Sequence, residues 1–147
     1  MTYNDWLEFI KKIESGKLTD EFVDFLKNNQ LNDSFKDQVL PKMDDAITKR
    51  LSTDLDNIAT KINYLFDDEY LMDMQLVIFR KDINILYRMV YSGFFSEDYV
   101  FTKSNMIKNS VNKIFDILYD KANEVDLTGA LGMSIKNNRI RWEKYEL

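Results

Sequence analysis

Residues 70–91 read YLMDMQLVIFRKDINILYRMVY, and this stretch decides the fold. Fifteen of its 22 residues are apolar or aromatic. Met72, Leu76, Phe79, Ile83, Leu86 and Val90 recur every three or four residues, which is the spacing of one face of an α-helix. Leu71, Ile78 and Ile85 form a second stripe beside the first. A narrow polar strip remains, mainly Asp73, Arg80, Asn84 and Arg88. A helix apolar around most of its circumference is normally enclosed by other elements. The stretch is therefore expected to be the buried central helix of an all-α, antiparallel helical bundle, roughly 33 Å long.

Working outward, Asp67-Asp68-Glu69 is too short for more than a tight connector, and its negative charge suits the positive end of the central helix. The preceding helix carries Ile47, Leu51, Leu55, Ile58, Ile62 and Leu65 on one seam. Its start is expected at Pro41, which disfavours helical geometry at Leu40. Its end is expected near Phe66. On the other side, Ser92-Gly93 stops the central helix. FFSEDYVF, residues 94–101, follows as an aromatic loop with one short turn at Ser96. Thr102 is expected to cap a last long helix bearing Ile107, Val111, Ile114, Phe115, Leu118 and Ala122.

The N-terminal 30 residues read as a helical hairpin. Asn4 or Asp5 caps a helix with Trp6, Phe9, Ile10 and Ile13 on one face, and Gly16 closes it. Thr19 caps a second helix carrying Phe22, Phe25 and Leu26. At the other terminus Met133, Ile135, Ile140 and Trp142 alternate with polar residues around Asn137-Asn138. That pattern fits a small C-terminal β-hairpin, with a short helix as the alternative. The chain of 147 residues is thus expected to be one domain (1–147): a hairpin (1–30), a three-helix core (42–124) and a tail (126–147).

Composition narrows the chemistry. There is no Cys and no His, so disulfides, thiolate chemistry and His/Cys zinc sites are excluded and the usual general base is missing. The strongest carboxylate group is Asp67, Asp68, Glu69 and Asp73. To hold Mg²⁺ it needs a second acid pair on a facing helix, such as Asp116 and Asp120. Those two fall opposite the apolar face of their own helix, and neither they nor the group at 67–73 form the E-x-x-E or E-x-x-D pairs of all-helical nucleotide pyrophosphatases. No catalytic residue, cofactor or metal is therefore expected. No P-loop follows the glycines of Thr128–Gly132, and no calcium loop surrounds Asp54 and Asp56.

Residues 1–69 hold 15 acids and 9 bases, whereas residues 70–147 hold 10 acids and 11 bases. An acidic half disfavours phosphate backbones and suits a basic partner. The expected function is a non-enzymatic protein-binding module, such as a small bacterial or phage inhibitor or toxin-immunity protein that masks a basic partner. Asp20, Glu21 and Asp24 would supply attraction, and Phe94, Phe95, Tyr99 and Phe101 the contacts. The alternatives are a nucleic-acid-associated regulator using Lys103, Lys108, Lys113, Arg139 and Arg141, and a carboxylate–Mg²⁺ nucleotide hydrolase. Asp73, Arg80, Lys81, Asp82 and Arg88 make the central stretch unfit to face lipid, and Met1–Glu14 has no signal-peptide pattern. A cytoplasmic protein with no membrane contact is expected, with self-association left open.

Overall fold

In the computed structural model, residues 2–28, 33–124 and Ile135 are described. They form six α-helices: α1 Tyr3–Glu14, α2 Asp20–Asn28, α3 Asp33–Thr60, α4 Ile62–Asp67, α5 Glu69–Val90 and α6 Glu97–Glu124. The fold is an all-α bundle, and no strand occurs among the described residues. The proposed hairpin of residues 126–147 lies outside them. Ile135 alone is described there, and it is buried.

Helices α1, α5 and α6 start where a side chain satisfies free N–H groups. Thr2, rather than Asn4 or Asp5, caps α1: its hydroxyl accepts from the Asp5 N–H, and the Asp5 carboxylate accepts from the Thr2 N–H. This reciprocal pair is a capping box. The Asp68 carboxylate accepts from the N–H groups of Tyr70 and Leu71 at 3.0 and 3.3 Å, which starts α5. Ser96 accepts from the Tyr99 N–H at 3.3 Å. The last helix therefore begins at Glu97 and takes in most of the expected aromatic loop, while Thr102 lies inside it.

Two other boundaries differ from expectation. Pro41 lies inside α3, which continues without a break from Asp33. Proline removes the bond to the carbonyl four residues earlier. That carbonyl belongs to exposed Asp37, and Pro41 is itself exposed. Val39, Met43, Ala46 and Ile47 meanwhile hold the opposite face in the core, so burial outweighs the lost bond. Near Lys61 the helix is interrupted instead, although no Pro or Gly marks the site. The Thr60 hydroxyl donates to the Asp56 carbonyl at 2.7 Å there, but Thr48 and Thr53 make the same back-bond inside unbroken α3, so that bond alone does not account for the interruption.

The principal stripe of α5 is buried as the periodicity requires: Met72, Leu76, Phe79, Ile83, Leu86 and Val90. It meets Val111, Ile114, Phe115 and Leu118 of α6 and Ile47, Leu51 and Ile58 of α3 in one core. Phe79 and Phe115 pack edge to face at 6.4 Å. The expected full enclosure of α5 does not occur. Leu71 and Ile78 of the second stripe are exposed, together with Tyr70, Met74 and Val77. Helices α3 and α6 run in the same direction, since Asp44 meets Tyr99 and Thr48 meets Met106. No helix among the described residues is long and apolar enough to cross a membrane.

Candidate protein-binding surface

The aromatic segment divides in two. Phe94 packs on Trp6 at 5.7 Å and on Phe95 at 5.2 Å, and Phe95 stacks on Tyr99 at 4.6 Å. Trp6 continues the cluster to Phe9 and Phe25. These rings plug one end of the bundle. The Tyr99 hydroxyl donates to Asp44 at 3.1 Å. Burial, and then the negative charge of Asp44, push the Tyr99 phenol well above its ordinary pKa, so it stays a neutral donor. Phe94, Phe95 and Tyr99 are half-buried and committed to the fold.

Phe101 is different: it is 71% exposed. Glu97 and Asp98 lie four and three residues before it on α6, hence on the same helical face, and both are exposed. Tyr91, 52% exposed, stands at the end of α5. Its phenol is held below the usual value by hydrogen bonding from Ser104 and then Tyr87. Ser104 lies one turn beyond Phe101, so the two exposed rings share the corner where α5 passes into α6. Tyr87 packs against Tyr91 at 4.6 Å with the rings tilted by 40°, and widens this aromatic corner.

Asp20, Glu21 and Asp24 are all exposed on α2. Their helix is fixed by burial of Phe22, Val23 and Leu26, chiefly against α5. The Arg88 guanidinium meets Asp20 at 2.6 Å. That pair ties the acidic helix to α5 three residues before Tyr91. It also makes Glu21 and Asp24 the more available charges.

A buried ionic cluster joins the layers, and sequence reasoning missed it. Arg50 of α3 donates through Nε to Asp82 of α5 at 2.9 Å, with a second contact through Nη2. Arg50 also lies 3.3 Å from Asp54, one turn along α3. Gly16, at φ 69°, lets the α1–α2 turn pass over the guanidinium; a Cβ there would meet Arg50 Cζ at 2.5 Å. Asp54 is only 2% exposed, and its Oδ2 meets no hydrogen-bond partner among the described residues. Burial, followed by the charge of Asp82, pushes the Asp54 carboxyl up to about 8 against the pull of Arg50. The signal was present in the sequence: Asp54 and Asp82 fall in the apolar registers Leu51–Ile58 and Phe79–Leu86.

The adjoining cavity, about 170 Å³, is lined by Ile13, Leu18, Ile85 and Leu86 beside Arg50 and Asp82. Arg50 and Lys81 are the cations of its lining, and Arg50 is already engaged by Asp82 and Asp54, so the ionic cluster acts as a clamp between helices. Lys103, expected on a basic face, is buried instead, with Nζ 2.6 Å from Asp44 and 3.0 Å from Thr48. Lys108 and Lys113 are exposed, and Arg139 and Arg141 lie outside the described residues. Glu69, Asp73, Asp116 and Asp120 are exposed. No three acidic side chains gather as a metal cluster among the described residues. No protein-family model matches the chain, and neither a curated protein nor a solved structure does.

Proposed function

We propose that this chain is a non-enzymatic protein-binding module that engages a basic partner, as a small inhibitor or immunity protein would. The observation that carries the reading is the corner formed by Phe101 and Tyr91. Two large rings stand in water there, Phe101 on α6 and Tyr91 just past the end of α5, with Glu97 and Asp98 at the rim of Phe101. Exposed aromatic anchors on fixed backbone are the usual source of short-range binding energy, because little side-chain freedom remains to be lost. Acids around them attract a basic surface and repel acidic ones. Glu21 and Asp24 extend the negative field from α2.

This arrangement refines the expected site. Phe94, Phe95 and Tyr99 are spent on the ring cluster around Trp6, and Phe101 with Tyr91 is the part left to a partner. The buried position of Lys103 removes one member of the basic set on which a nucleic-acid reading would rest. The test is affinity capture from cells that make the protein, comparing the parent with Phe101→Ser combined with Asp98→Lys. Both positions are exposed, so the variant should fold as the parent does. A protein retained by the parent and lost by the variant supports the reading. Equal retention by both would reject this corner as the site.

A further inference from the structure

The N-terminal half of α5 carries a second exposed surface, separate from the corner just described. Tyr70, Leu71, Met74, Val77 and Ile78 all reach solvent, with Val77 65% and Tyr70 70% exposed. Their spacing is that of a short coiled-coil seam. Tyr70, Met74, Val77 and Lys81 fall at alternating intervals of four and three, and Leu71 and Ile78 lie along one flank. The residues between them, Met72, Leu76 and Phe79, are buried in the subunit's own core. The seam therefore belongs to the outer face of the helix. It spans three turns, about 16 Å.

We propose that this seam packs against the same seam of a second copy of the chain, antiparallel, about a two-fold axis between Met74 and Val77. Self-complementarity singles out that occupant. Reversal about this axis sets Met74 on the second copy's Val77 and Leu71 against the second copy's Ile78. Tyr70 meets the second copy's Lys81, whose stem and ammonium can lie along the ring. Asp73, on the other flank, falls opposite the second copy's Arg80. Each contact occurs twice, as a two-fold interface demands. Parallel packing would instead oppose Lys81 to Lys81 along the seam, a like-charge contact, and set Asp73 beside the second copy's apolar Ile78. The charge order along the helix thus selects the antiparallel dimer. Val77 lies about 20 Å from Tyr91 along the helix, so the dimer leaves both partner-binding corners open.

An interface of one short helix pair is small, and such contacts are weak or transient. Sedimentation equilibrium should show a monomer giving way to a dimer as concentration rises through the micromolar range. Val77→Asp should hold the chain monomeric with unchanged circular dichroism, since the site is exposed. The natural absence of Cys permits a second measurement. Leu71→Cys and Ile78→Cys proteins of different tag length, mixed and treated with a short bismaleimide, should cross-link to each other in preference to themselves. A monomer at every concentration, a dimer that survives Val77→Asp, or preferential 71–71 and 78–78 links would each overturn the proposal.

Discussion

Replacing Asp54 by Asn should change how stability depends on pH. Asp54 is buried beside Asp82, with Arg50 already engaged by Asp82. Its carboxyl is raised from 3.8 to about 8 in the folded chain, chiefly by burial and then by the Asp82 charge. The folded state therefore keeps a proton that the unfolded chain releases. That stabilisation is fully present below about pH 4 and is lost as pH rises through about 8. At about 1.4 kcal/mol per unit, the displacement corresponds to something on the order of 5 kcal/mol, comparable with the whole stability of a small domain. The lack of His and Cys leaves few other groups to titrate in this window, and those that approach it, the lowered Tyr91 phenol at the alkaline end and the α-amino group, are common to both proteins. Asn has nearly the shape of the neutral acid and no proton to lose. Urea melts followed by circular dichroism should show the parent weakening between about pH 5 and about pH 9, with a much flatter profile for Asp54→Asn. The variant should be the more stable of the two at the alkaline end. Parallel profiles would refute a buried, protonated Asp54.

Three further outcomes follow from the packing. Gly16→Ala should destabilise by roughly 1–3 kcal/mol, because the backbone sits at φ 69° and the added Cβ displaces Arg50 from Asp82; thermal melts check this. Phe79→Ala should cost roughly 3–5 kcal/mol in denaturant melts, since the ring is fully buried against Phe115. Lys103→Ala should cost about 1–3 kcal/mol in the same melts, through the lost contacts to Asp44 and Thr48 and the lost stem packing.

The core was legible in the sequence because hydrophobic period and burial are the same fact seen twice. The six α5 positions spaced at three and four are all inside, as are Ile107, Val111, Ile114, Phe115 and Leu118 of α6. Helix ends were less legible. Pro41 argues for a break by local sterics, but the lost bond falls on the exposed face while the other face is anchored by burial. The interruption at Lys61 carries no Pro or Gly, and the Thr60 back-bond there is matched by those of Thr48 and Thr53 inside the unbroken helix, so no local signal marks it. Composition could not separate Phe94 and Phe95 from Phe101. That difference arises from the register of α6, set by the Ser96 cap. The second stripe of α5 likewise needed a neighbour to cover it, and among the described residues the bundle supplies none for Leu71 and Ile78.

The central claim is that an acidic aromatic corner binds a basic partner, and binding kinetics at two salt concentrations test it most directly. With the captured partner immobilised, Glu97→Lys with Asp98→Lys, and Glu21→Lys with Asp24→Lys, should each slow association, with a smaller effect on dissociation. The parent's association should weaken as salt shortens the screening length toward about 8 Å at physiological strength. Phe101→Ala should leave association nearly unchanged and hasten dissociation, at a cost above about 2 kcal/mol. Association indifferent to salt and charge reversal, together with dissociation indifferent to Phe101, would contradict the account.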